Sequence, residues 1–146
     1  MESTVLLASV PNQMSPMNVT LVGTNVRFAW TPLSLANQNG SPVTAYKISI
    51  LNRGTMLFTE NTAVCDGSNS AVISNSYCDV SMASVISTFS VTIGEDIEAV
   101  VQAINSIGYS TQSLVDQTLI AASAPPAYPS GFSGIASTTS VLLSFS

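Results

Sequence analysis

Apolar positions in this chain recur with period two over short runs, and Gly, Pro, Asn and Asp fall between the runs. Such alternation marks half-buried strands, because successive side chains of a strand point to opposite faces. Val19-Thr20-Leu21-Val22 and Val26-Arg27-Phe28-Ala29-Trp30 flank Gly23-Thr24-Asn25, which predicts an antiparallel pair joined by a turn. Over residues 43–51 the alternation puts Tyr46, Ile48 and Ile50 on one face and Ala45, Lys47 and Ser49 on the other. Residues 56–58, 89–93, 97–104 and 112–120 read as further strands, rich in β-branched side chains. Residues 81–87 fit either a short helical turn or an irregular linker. Short strands at regular spacing with turn signals between them predict an all-β, antiparallel β-sandwich.

Two segments carry a more specific pattern. Trp30 is followed by Thr31-Pro32, a polar loop, and Val43-Thr44-Ala45-Tyr46-Lys47-Ile48. Val101-Gln102-Ala103-Ile104-Asn105-Ser106-Ile107-Gly108-Tyr109-Ser110 has the form V-x-A-x-N-x-x-G-x-S. Together, over roughly residues 12–123, these resemble the fibronectin type III family, a close relative of the immunoglobulin-like sandwiches. The resemblance implies that Trp30 lies in the core near Tyr46, and that Asn105 and Gly108 make the turn between the last two strands. One position departs from the family: Ile97 stands where a Tyr is usual near the start of the sixth strand. The corner hydrogen bond of that Tyr hydroxyl is then missing.

The ends repeat each other. Thr4-Val5-Leu6-Leu7-Ala8-Ser9-Val10-Pro11 matches Thr118-Leu119-Ile120-Ala121-Ala122-Ser123-Ala124-Pro125, an offset of 114 residues and the size of a whole domain. Further on, Val141-Leu142-Leu143-Ser144-Phe145 matches Val26-Arg27-Phe28-Ala29-Trp30. The expected organisation is a sandwich over residues 12–124 with strand-like extensions at both ends. Residues 1–11 would be the last strand of a preceding repeat or a donor strand. Residues 125–146 would be the first strands of a following repeat or a donor segment. Unpaired apolar strands seek partners, so the expected partners are neighbouring copies or repeats, arranged head-to-tail.

Composition narrows the function classes. Charged residues are only 8% of the chain, and Ser and Thr fill roughly a quarter. The surface is therefore largely hydroxyl and amide, and easily covered by sugar or by another copy. Three basic residues, Arg27, Lys47 and Arg53, against eight acidic ones give a net charge of −5. Nucleic-acid binding needs clustered cations that release counterions, so it is not expected. No apolar run is long enough to span a bilayer. Cys65 and Cys78 bracket a turn-rich stretch; this spacing favours a disulfide over two buried thiols, and with it an oxidising, extracellular compartment.

Neither an enzyme nor a cofactor is expected. The chain has no histidine, which excludes Ser-His-Asp and Cys-His arrangements. Glu95, Asp96 and Glu98 adjoin the Gly94 turn and read as solvated loop charges rather than a glycosidase pair. Asp66-Gly67-Ser68-Asn69 has oxygen ligands but not the spacing of a calcium loop, and reads as a plain turn, so no metal site is expected. Asn18-Val19-Thr20 and Asn39-Gly40-Ser41 are acceptor triplets for N-linked glycan, with Asn39 the slightly favoured one. The expected role is a non-enzymatic extracellular structural module, one unit of a filament, fibre or surface coat. The alternative is a cell-surface or virion adhesion module, whose loop anchors would be Tyr77, Tyr109 and Tyr128.

Overall fold

Gly23 turns the chain with φ of 63°, a left-handed conformation that costs glycine little, and so joins β1 (Asn18–Val22) to β2 (Asn25–Ala29). The computed structural model describes residues 7–124. After β2 come a 3-10 helix (Leu35–Gln38), β3 (Ala45–Asn52), β4 (Leu57–Glu60), α1 (Ser70–Asn75) and β5 (Tyr77–Ser81). They are followed by α2 (Met82–Phe89), β6 (Asp96–Ile97), β7 (Ala99–Ile104) and β8 (Ile120–Ala121). All the strand pairings are antiparallel, in sheets of order β1-β2-β5, β4-β3-β7 and β6-β8.

Register follows from the alternation. In the first sheet Val19 opposes Phe28, Phe28 opposes Cys78 and Val26 opposes Val80, all of them buried. In the second, Tyr46, Ile48 and Ile50 oppose Ala103, Val101 and Ala99, again all buried. A one-residue slip of either ladder would turn these side chains to solvent, so the apolar faces fix the pairing. The two inner faces share one core with Trp30, Val91 and Ile97. This is the antiparallel sandwich that the pattern predicts.

Four stretches differ from the strands read off the chain. Residues 89–93 are not a strand. Phe89 is the last buried residue of α2, with Met82 and Val85 at helical spacing before it, and Ser90 ends the helix at φ of 53°. The same helix settles residues 81–87, started by the Ser81 hydroxyl accepting the Ser84 N–H at 3.1 Å. β5 and α1 are additional elements; β5 buries only two side chains, Cys78 and Val80.

Residues 97–104 are broken at Glu98, whose carbonyl accepts the Leu51 N–H at 2.9 Å. Within 112–120 only Ile120 is strand. The stretch before it still follows β7. Ser110 and Ser113 donate their N–H groups to the Ala103 and Val101 carbonyls at 2.8 and 3.0 Å. Their hydroxyls in turn accept the Ala103 and Val101 N–H groups at 2.9 and 3.0 Å. Serine hydroxyls thus stand in for backbone carbonyls, satisfying the buried edge of β7 without a regular strand.

The sandwich has two poles. The first holds the 3-10 helix, the start of β3 and the turn after β7; the second holds the Gly23 turn, α2, β6 and β8. The helix α2 packs against β2, β3 and β5 and closes the second pole.

Candidate functional site

Asn105 organises the first pole. Its side chain, 4% exposed, leaves the end of β7 and meets three carbonyls. The amide nitrogen donates to Ser9 O at 2.8 Å, Gln38 O at 3.2 Å and Ser41 O at 3.3 Å. Its oxygen accepts the N–H groups of Ile107 and Gly108 at 2.9 and 3.1 Å, and its own N–H donates to Gly108 O. One buried amide therefore ties together the leading segment, the 3-10 helix and the turn after β7. A buried amide so fully partnered fixes one arrangement, because any loosening strands polar groups without water. Gly108 belongs to the same unit: a Cβ there would meet Val10 Cγ1 at 3.2 Å.

The leading segment is held by further bonds. Ser9 N–H donates to Asn39 O and Asn12 N–H to Asn37 O, both at 3.0 Å. The Asn39 amide nitrogen donates to Val10 O at 2.8 Å and to Asn12 Oδ1 at 2.9 Å. Both of its hydrogens are used, so an N-linked sugar on that nitrogen would displace one of these bonds. Asn18, at the start of β1, is exposed, and its amide makes no hydrogen bond among the described residues.

Trp30 and Tyr46 come together as the resemblance implies, with ring centroids 5.0 Å apart and planes tilted by 52°. Burial pushes the Tyr46 hydroxyl's pKa up, and the nearby Trp30 indole N–H opposes the shift. That N–H approaches without bonding geometry, so it is buried without a hydrogen-bond partner.

Cys65 and Cys78 form a disulfide with their Cα atoms 6.0 Å apart. It ties the stretch after β4 to β5 and brings Gly67 against the free edge of β3. There Tyr46 N–H donates to Gly67 O at 2.9 Å, beyond the part of β3 that β4 covers. Only glycine fits: a Cβ at Gly67 would lie 1.9 Å from Tyr46 O. Asp66 beside it accepts from the Ser68 N–H and hydroxyl at 2.9 and 2.6 Å, which lowers its pKa and makes the stretch a turn.

The three basic side chains each lie against a group of the same chain. Arg27 grips Asp79 across the β2–β5 ladder with two bonds of 2.7 and 2.8 Å, and its guanidinium lies 3.9 Å from the Tyr77 ring centre. Arg53 pairs with Glu98 at 3.2 Å and donates to Asp96 O at 2.6 Å. The Lys47 ammonium sits 5.7 Å from the Tyr109 ring centre. Glu95 accepts from the Thr92 hydroxyl and N–H, which hold its carboxyl below the usual range. The acidic trio read as solvated loop charges is thus divided, with Glu95 closing a turn and Glu98 paired. Among the described residues no group of three His, Cys, Asp or Glu could hold a metal ion. No helix among them is long and apolar enough to cross a membrane.

The bonding of Asn105, Gly67, Ser110 and Ser113 to distant backbone is what the sequence did not reveal. Tyr128 and residues 1–6 and 125–146 lie outside the described residues.

No family model and no curated protein matches the chain. Solved structures do match in fold. The sixth fibronectin type III domain of human fibronectin type III domain containing protein 3 is 21% identical, with a TM-score of 0.52, covering 85% of this chain and 96% of that one. A fragment of titin is 18% identical with a TM-score of 0.56, covering 80% of this chain. A three-domain fragment of chicken CNTN1 is 18% identical with a TM-score of 0.55, covering 82% of this chain. This chain spans 34% of the titin fragment and 38% of the CNTN1 fragment. The fold is that of the fibronectin type III domains.

Proposed function

We propose that this fibronectin type III sandwich is a non-enzymatic, extracellular structural module, one unit of a head-to-tail filament, fibre or surface coat. The observation that carries the reading is the path of the chain. Residues 9–12 are held at the first pole by Asn37, Asn39 and Asn105, while residues 120–122 are held at the second by β6 and Gly94. A chain that arrives at one pole and leaves by the other, with matching sequence at its two ends, suits end-to-end repetition. A contact of that kind does not close on itself and grows as a filament.

The Cys65–Cys78 disulfide supports an oxidising compartment. The low share of charge, with all three cations engaged internally, supports a surface meant to meet other copies or glycan. If glycan is carried, Asn18 is the better placed acceptor, since the Asn39 amide is already committed. Of the loop anchors of the adhesion reading, Tyr77 lies in β5 under Arg27, whereas Tyr109, beside Lys47, is exposed.

Imaging the native material tests the assignment. Filaments or a regular coat with a domain-sized repeat are expected; isolated monomeric particles, or thiols that alkylate without reductant, would overturn it.

A further inference from the structure

We infer that consecutive copies are joined with no free linker, because the segment that leaves one sandwich is the segment that docks on the next. This rests on the tandem reading above and gives it a specific joint. In the repeat match, Ala122-Ser123-Ala124-Pro125 corresponds to Ala8-Ser9-Val10-Pro11. The first residue of the pair of tetrapeptides belongs to the module that is ending: Ala122 donates its N–H to Glu95 O at 2.8 Å and accepts the Gly94 N–H at 2.9 Å. The second belongs to the module that is beginning: Ser9 donates to Asn39 O at 3.0 Å and accepts from the Asn105 amide at 2.8 Å. Ser123 would make those two bonds to Asn39 and Asn105 of the next copy. Adjacent residues are then clamped by different modules. Ser123 itself is exposed and so open to such an acceptor.

The surfaces around the joint agree. Where the chain leaves the second pole, Leu21, Gly23, Thr24, Met82 and Ala83 line a groove of about 240 Å³ alongside Ser123 and Ala124. At the first pole Leu35 and Ile107, 84% and 52% exposed, flank the place where the leading segment docks. Clamping Ser123 on the next copy brings that copy's Leu35 and Ile107 toward the groove, which accounts for apolar side chains exposed at both poles. The occupant of the groove is the first pole of a second copy.

The test is a chain in which residues 1–124 are followed directly by residues 11–146, compared with the 146-residue chain. Hydrogen exchange should show the Ser123 N–H protected about tenfold or more when a complete copy follows, and unprotected when it does not. Nitrogen relaxation should give the two sandwiches one shared tumbling time. Insertion of about six Gly and Ser residues between Ala122 and Ser123 touches neither core and should abolish that shared tumbling. Two folded sandwiches that tumble separately without the insertion, with Ser123 exchanging freely, would overturn the joint and leave the tandem reading standing. A second copy that fails to fold in this register would overturn both.

Discussion

The β3–β7 ladder and the stretch between β4 and β6 are built into one core by different means. The ladder needs only its own pattern. Its six paired positions alternate inward and outward, and the inward side chains from Tyr46 to Ile50 meet small or β-branched partners on β7. The other stretch has weak alternation and depends on individual devices: a disulfide, a glycine against a backbone oxygen, and a serine cap on each side of α2's sequence. A repeated pattern spreads stability over many contacts, whereas single devices concentrate it. The two regions should therefore fail differently.

Trp30→Ala should have the largest effect, because Trp30 sits between the regions. A loss of about 3–5 kcal/mol is expected for a buried large aromatic, seen as a lower denaturation midpoint and faster exchange in both regions together. An effect confined to one of them would break the comparison. Reducing the Cys65–Cys78 disulfide comes next, at about 3 kcal/mol in the chain-entropy account. Here the asymmetry should appear: amides of residues 65–78 should exchange faster at conditions where those of β7 remain protected.

Gly67→Ala isolates the seam between the regions. The added methyl would lie 1.9 Å from Tyr46 O and 2.7 Å from Ile48 Cδ1, so the loop must leave the edge of β3. A cost of about 1–3 kcal/mol is expected, with exchange accelerating first at the Tyr46 N–H that bonds to Gly67 O. The smallest effect belongs to the surface pair on the β2–β5 ladder. The hydrogen bonds from Arg27 hold the Asp79 carboxyl below its ordinary value near 3.8, against an opposing push from desolvation. A depressed carboxylate contributes stability above its unfolded pKa and loses it as pH falls through the folded one. The stability difference between the parent and Asp79→Asn should thus be present at neutral pH and shrink as pH drops below about 4. A difference independent of pH would assign the effect to packing instead.

The sequence by itself determined the sandwich, the pairing of β1 with β2 and the face that β3 buries. These depend on period-two alternation and on turn residues, which are local properties. The resemblance to the family brought Trp30 to Tyr46 and marked Asn105 and Gly108 as a turn, without saying what else the Asn105 amide touches, and the cysteine spacing favoured the disulfide. Only the tertiary structure decided that residues 82–89 coil into a helix, since Met82, Val85 and Phe89 fit a helical stripe as well as Phe89, Val91 and Ile93 fit a strand. It alone placed Ser110 and Ser113 in the β7 ladder, aimed the Asn105 amide at Ser9, 96 residues away, and set Gly67 against Tyr46. The reason is one of range. Alternation and turn chemistry are written between neighbours, while a hydrogen bond to a distant carbonyl exists only once the two sheets have closed and excluded the water that would otherwise have served.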